Sequence, residues 1–373
     1  MKSWLKSIFD GDIQLAKAIF PFADLLANCP HDPVYHGEGD VWIHTQMVVD
    51  CMINHHGFQS SDKEQQIILL LAAFLHDLAK PRTTVELWDP IEKRIRISQP
   101  GHALKGAHRV LDLLWHNGVA WPIIEKVYWL IAWHQKPFHI WKSDRMKRQA
   151  IEFSWIYDWR PLLILAEADN LGRISPQVQQ TAFKLELLRQ FLNEESMLNA
   201  PYSFANDESR ISYFEKPDRY EDYQEYEKPT ATAHILSGLP GAGKDTYIGK
   251  HLQELPVLSL DAIREEMGIL STKNQGRVVQ AALEQAREYL RSEQSFVWNA
   301  VHISELNRGR AIKLCRDYGF RVEIHGLVTN SVQLYSQNKK REARVPENII
   351  AGLAAKWEPA TLLEAHHVHW IIT

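Results

Sequence analysis

Residues 231–252, ATAHILSGLPGAGKDTYIGKHL, constrain the fold more than any other stretch of the chain. They read as a strand, a glycine-rich loop and a helix. Gly238, Gly241 and Gly243 let the backbone curl until its N–H groups face one point, where they would cradle anionic oxygens. The positive end of the following helix adds to that field. Lys244 is placed to reach the outer phosphates of a nucleotide, and the loop from Gly238 through Ala242 to Thr246 would wrap them. One letter departs from the usual pattern. Asp245 stands where a Ser or Thr hydroxyl normally holds magnesium, so the loop predicts either an altered metal shell or no nucleotide at all.

The residues that follow favour a nucleotide. Strand-like segments at 256–261, 294–300, 320–329 and 367–373 alternate with helical ones at 275–292 and 305–318. That alternation predicts a mostly parallel sheet with helices on both faces. Asp261 is expected at the end of a strand, on the crevice side of the sheet, where it could take a proton from an attacking hydroxyl. It would serve equally as a helix N-cap. Arg264 lies one helical turn further on. Asn299 ends another strand at a position often acidic in such folds. NKKREARVPENI, 338–349, is a basic run before a proline-started helix, read as a lid with Arg341 and Arg344 over the transferred phosphate.

Residues 1–203 have a different texture. Apolar spacing at helical period, with Gly or Pro stops, predicts helices over 64–80, 101–118, 123–134, 159–173 and 179–195. Residues 85–101 break the series as a loop or short hairpin. Residues 204–230 are acidic, tyrosine-rich and weakly periodic, and read as a connector packed on one domain. Most of the 18 histidines lie in the first half. His76 and Asp77 sit together near the end of an apolar helix, where an unpaired buried charge would be expensive. His44, His102, His134 and Asp169 fall at other helix ends. Imidazoles and carboxylates gathered from separate helices suit a transition metal better than calcium. Lys80, four residues after His76, would share its helix face, either steadying a phosphate or simply favouring the helix C-terminus. His55, His56, His108 and His116 read as core or capping residues.

Composition excludes several classes. With a net charge of −4, any nucleic-acid contact would rest on a local basic patch. Three scattered cysteines without CxxC spacing predict neither a disulfide framework nor a cysteine–zinc site, and suit a reducing cytoplasm. No apolar run is long enough to span a bilayer, and the start does not read as a signal peptide.

HGEGDVWIHT, FLHDLAKP, GHALKGA, WHQKP and EADNLGR, spread over residues 36–173, together resemble the HD-domain phosphohydrolase superfamily. The resemblance implies one metal held by His44, His76, Asp77 and Asp169, and a second completed by His102 and His134 with Asp77 bridging. One or two divalent transition metals (Mn, Ni, Co, Zn or Fe) would then activate water. GLPGAGKDT, DAIR and NKKREARVP, in that order over 231–373, resemble the bacteriophage-type polynucleotide 5′-kinases. That resemblance implies ATP or another nucleoside triphosphate with Mg2+, Asp261 as general base, Arg264 gripping the acceptor's phosphate, and lid arginines clamping the donor. Asp245 would join the magnesium shell.

Together the halves resemble the bacterial HD-Pnk end-healing enzymes: an all-α HD domain followed by an α/β P-loop kinase domain with a helical lid. The pairing implies RNA or DNA ends as substrate, a 5′-hydroxyl phosphorylated by one domain and a 2′,3′-cyclic or 3′-phosphate removed by the other. A polynucleotide ligase would act downstream. Two rivals stand beside it. One is a small-molecule or nucleotide kinase fused to an HD nucleotide phosphohydrolase. The other is a nucleotide-regulated signalling module with little catalysis.

Overall fold

A computed structural model describes residues 2–226, 231–269, 275–341 and 344–373. Residues 227–230 of the expected connector and 342–343 of the basic run lie outside the described residues. The chain forms two compact units, Met1–Tyr202 and Ser203–Thr373.

The first unit is helical around one apolar rod. In the helix Lys63–Leu75, every residue from Ile68 to Leu75 is buried. A helix apolar on all sides must sit inside a bundle. Asp62 starts it, its carboxylate accepting from Gln65 N–H at 2.8 Å. The helices Val41–Asn54, Trp121–Trp133 and Trp159–Leu171 pack on it. The expected hairpin is present, with β1 (Val85–Asp89) antiparallel to β2 (Arg94–Ser98). The helices His102–His116 and Val178–Glu194 also fall where periodicity places them.

One expectation fails here. The helix predicted over 64–80 stops at Leu75, with His76 as its C-cap, and Lys80 opens a separate short helix, Lys80–Thr83. Lys80 therefore does not share a helix face with His76. Pro81 sits in the first turn of the new helix, where its missing N–H costs nothing, rather than ending the old one.

The second unit holds a five-stranded parallel sheet, β3 (Thr232–Ser237), β4 (Val257–Ser259), β5 (Phe296–Asn299), β6 (Arg321–Val328) and β7 (His367–Ile372). Their order across the sheet is β4-β5-β3-β6-β7. Alternate residues Ala233, Ile235, Val322 and Ile324 turn into the core beside Phe296 and Phe320. The connector sequence belongs to this unit and contains the helix Asp207–Glu215. Its Arg210 is 1% exposed and donates to the carbonyls of Leu362, Ala365 and His366, which docks the segment beside β7. Arg308 has a structural role too: it is fully buried, forks onto Glu364 and donates to the Glu358 carbonyl at 2.8 Å.

Candidate functional sites

In the first unit, His44, His76, Asp77, His102, His134 and Asp169 are brought together. All six side chains are at most 12% exposed, and His102 is the most open. The four imidazoles share one orientation. Each turns Nδ1 to a backbone carbonyl: His44 to Gly172 (3.0 Å), His76 to Ala73 (2.9 Å), His102 to Gln99 and His134 to Ile131 (both 2.7 Å). A carbonyl only accepts, so Nδ1 carries the proton and Nε2 presents its lone pair. For His76, His102 and His134 the acceptor is the carbonyl three residues back, and the Ile131 carbonyl also takes the His134 backbone N–H. A hydrogen bond that fixes the tautomer in this way is the usual outer support of a metal-ligating histidine.

The Nε2 atoms converge on two carboxylates. His76 and His44 lie 3.1 and 3.8 Å from Asp77 Oδ2. His102 and His134 lie 3.4 and 3.9 Å from Asp77 Oδ1. Asp169 Oδ1 is 3.2 Å from His44 Nε2. Asp77 thus faces one pair of histidines with each oxygen. These contacts lack hydrogen-bond geometry: His44 Nε2, His76 Nε2, Asp77 Oδ1 and Asp169 Oδ2 are buried without a hydrogen-bond partner. Orphaned ligand atoms of this kind, on imidazoles and carboxylates, fit one or two transition-metal ions.

Burial would lower His44, but Asp169 and Glu38 raise it above its ordinary value. Burial pushes His134 down to about 3 and lowers His102, keeping both neutral. Burial works against ionised Asp77, but His76 and Lys80 beside it hold its carboxyl well below the usual range. Burial likewise opposes Asp169, where Arg173 and His44 prevail.

Gly172 permits the closest approach in this site. A Cβ there would stand 2.7 Å from Val48 N and 2.8 Å from its Cα, so only glycine lets Asp169 come beside His44. Lys80 does not point at open space. Its ammonium lies 2.7 Å from Asp77 Oδ2 and donates to His31 Nε2 at 2.9 Å. Sequence reasoning missed His31, His36, Glu38 and Arg173. Glu38 sits 3.0 Å from His44 and 2.8 Å from His36, and Arg173 pairs with Asp169. Beside the cluster opens a cavity of about 380 Å³, lined by His36, Lys80, Gln99, His102, His139 and Arg173. Lys80 and Arg173 give the lining two cations, and Asp32 gives it a carboxylate.

In the second unit the glycine-rich loop joins β3 to the helix Lys244–His251. Gly241 and Gly243 take φ of +88° and +90°, the left-handed region that side chains avoid. A Cβ on Gly238 would lie 2.8 Å from the Leu327 carbonyl oxygen. Lys244 curls back to donate to the carbonyls of Gly238 (2.9 Å) and Leu239 (3.1 Å). Burial draws its pKa from 10.5 down to about 8, with Arg341 adding to the effect and Asp245 and Asp261 opposing it. Lys244, Asp245, Asp261 and Arg341 therefore share one electrostatic site.

Two placements differ from expectation. Asp261 is not at a strand end: β4 stops at Ser259, and Asp261 lies in the first turn of the helix Leu260–Glu266. Ser259 is that helix's N-cap, so Asp261 does not serve as the cap. Asp261 is exposed and paired with Arg264. Arg344 does not join Arg341; it is exposed and faces Glu347 at 3.4 Å. Thr246 is exposed in the first turn of the loop's helix. Asn299 donates to Asp245 Oδ1 at 2.7 Å. His302, another residue unseen in the sequence, packs here with Nδ1 3.2 Å from the Leu236 carbonyl, and burial lowers it to about 4.

A family described as AAA domain matches residues 234–360. The match spans the loop and four of the five strands, in keeping with a P-loop α/β fold for the second unit. Two solved structures are similar to part of the chain. A candidate kinase from Chloroflexus aurantiacus is 22% identical, over 38% of this chain and 85% of its own, with a TM-score of 0.33. An unliganded sugar kinase from Janibacter sp. HTCC2649 is 18% identical, over 39% of this chain and 85% of its own, with a TM-score of 0.29. No curated protein matches the chain. No helix among the described residues is long and apolar enough to cross a membrane.

Proposed function

We propose that the chain is a bifunctional nucleic-acid end-healing enzyme: an ATP-dependent 5′-hydroxyl kinase joined to an HD-type metal-dependent phosphoesterase. The observation that carries the second half is the shared orientation of His44, His76, His102 and His134, each turning Nδ1 to a backbone carbonyl and Nε2 toward Asp77 or Asp169. His44, His76, Asp77 and Asp169 would hold one metal, and His102 and His134 a second across Asp77. Such ions, when bound, lower the pKa of a water toward ~7 and neutralise phosphate oxygens. The protein's own part is to orient the ligands and, by burial, keep His102 and His134 neutral. The cations Lys80 and Arg173, at the cavity wall, draw a phosphate in.

At the kinase site, Asp261 takes the proton of the 5′-hydroxyl as that oxygen attacks the terminal phosphorus, and the nucleoside diphosphate leaves. Arg264 releases Asp261 to grip the acceptor's neighbouring phosphate. Lys244 leaves its two loop carbonyls for the donor phosphates, and Arg341 closes over them. Catalysis is then positioning and charge neutralisation. RNA cleavage through the 2′-hydroxyl produces both a 5′-hydroxyl and a 2′,3′-cyclic phosphate, so one substrate class uses both sites, and a ligase would seal the product. The three free cysteines are consistent with a reducing cytoplasm.

The second reading, a small-molecule or nucleotide kinase fused to a nucleotide phosphohydrolase, is favoured by the net charge of −4. Mapping both ends of a 5′-OH, 2′,3′-cyclic-phosphate RNA after incubation with ATP and divalent metals separates them. Healing of both ends supports the first reading. Phosphate transfer to nucleosides or sugars with untouched RNA ends supports the second.

A further inference from the structure

The second unit carries a histidine cluster that phosphoryl transfer does not use. In the parallel register His234 lies opposite Glu323, Glu323 opposite His367, and His325 opposite His369. Side chains alternate along a strand, so these residues share the sheet face turned away from Ala233, Ile235, Val322 and Ile324. His234 Nδ1 stands 3.0 Å from His325 Nε2 and 3.5 Å from Glu323 Oε2. The same Glu323 oxygen lies 3.4 Å from His369 Nε2 and 3.9 Å from His325 Nε2.

We propose that His234, Glu323 and His325, with His369 as fourth ligand, form a binding site for one divalent transition metal of the Zn2+ type. Four ligands at ~2.0–2.1 Å from a tetrahedral ion stand roughly 3.3–3.4 Å from one another. The contacts among His234, Glu323 and His325, from 3.0 to 3.9 Å, bracket that spacing, and the half-exposed His369, now stacked on His325, joins by turning its side chain. Three imidazoles and one carboxylate select zinc and its neighbours over calcium or magnesium.

Two further features support the site. His325 is 6% exposed at its side chain, and its Nδ1 lies 3.0 Å from the Tyr247 hydroxyl. When Nδ1–H donates to Tyr247, the Nε2 lone pair faces Glu323, which is the outer support expected of a ligand histidine. Burial also pushes His325 down to about 3 and lowers His234, keeping both in the neutral form that ligates. The half-exposed His369 leaves a route for the ion to enter. Tyr247 belongs to the helix that leaves the phosphate loop. A metal here would brace that helix against the sheet.

The test uses the full chain, stripped with a chelator and titrated with Zn2+ in a calorimeter. The intact chain binds one equivalent more than His325→Ala, and Glu323→Gln weakens that equivalent at least tenfold while the first unit's equivalents stay. Glu323→Gln keeps shape and hydrogen bonding, so it carries the test even where His325→Ala unfolds. In an Asp77→Ala background, which breaks the first unit's cluster, Co2+ gives the intense visible absorption of a four-coordinate site, and Glu323→Gln removes it. Identical Zn2+ stoichiometry and affinity in the intact chain and Glu323→Gln, or no such Co2+ band, overturns the proposal. The outcome does not depend on either activity proposed above.

Discussion

Asn299 donates a side-chain N–H to Asp245 Oδ1 across 2.7 Å, tying the end of β5 to the first turn after the phosphate loop. The usual arrangement has a hydroxyl on the loop and a carboxylate on the strand. Here the carboxylate sits on the loop and an uncharged amide on the strand. The two departures are one exchange, which keeps a single negative charge at the place where magnesium would bind.

The exchange predicts a coupled pair. Asp245→Ser should cut ATP-dependent phosphorylation by ~10–100-fold, the size expected when a group that holds or orients a metal is lost. Asn299→Asp alone should also be harmful, because two carboxylates would face each other. The double variant should recover more activity than the product of the two single losses allows. Additive losses in kcat/KM, measured over a magnesium series, would show that the residues act independently.

Lys244 gives a pH prediction whose sign is fixed. Its folded pKa of about 8 lies below the ordinary 10.5. Below pH 8 the ammonium is charged in both folded and unfolded chains, and its desolvation weakens the ligand-free fold. Between pH 8 and 10.5 the unfolded chain holds more protons, so this cost fades as pH rises. Lys244→Met should therefore raise the Tm of the nucleotide-free protein at pH 7, and the gain should shrink through that window. The same variant should lose phosphoryl transfer. A gain that stays constant with pH would contradict the assignment.

Asp261→Ala should lower phosphorylation of 5′-OH ends by ~10²–10⁴-fold, the range for loss of a general base, and leave release of 3′-end phosphate intact. Equal loss of both would contradict separate sites. Arg264→Ala should raise the acceptor KM more than the ATP KM.

How much of this was legible depends on how local each feature is. The phosphate loop is contiguous, and its glycines announce the positive φ that Gly241 and Gly243 adopt. The helices of the first unit follow their apolar period. The helix end at His76 was not legible, because LLLAAFLHDLAK keeps its apolar spacing past the point where the chain turns. His31, His36 and Glu38 come from an irregular segment with no period, so nothing in the sequence places them beside His44. Asp245 and Asn299 are 54 residues apart, and only the parallel pairing of β5 with β3 makes two odd letters into one.

Asp77 makes a strong prediction about stability as well as activity. It faces Lys80 at 2.7 Å and four imidazoles, with 1% of its side chain exposed. Asp77→Ala would leave the Lys80 ammonium buried beside neutral groups, and removing one partner of such a pair costs ~3–5 kcal/mol. The variant should bind less metal, lose phosphoesterase activity and unfold at lower denaturant. Asp77→Ala with Lys80→Met should recover much of the stability and none of the metal. Stability that stays low in the double variant would mean that the imidazoles, not Lys80, depend on Asp77.

Gly172→Ala tests whether close helix approach, rather than ligand identity alone, builds the first unit's site. The added methyl would meet Val48 backbone at 2.7–2.8 Å, and backbone cannot rotate away as a side chain can. Relief requires the chain at Gly172 to move off the helix Val41–Asn54, which carries Asp169 from His44 and breaks the bond from His44 Nδ1 to the Gly172 carbonyl. Overpacking of this kind costs ~1–3 kcal/mol. The expected result is a folded protein with at least tenfold weaker metal binding and reduced phosphoesterase activity, and with ATP-dependent transfer unchanged. Metal affinity equal to that of the parent, measured by titration of the chelated protein, would show that the ligands converge without this contact.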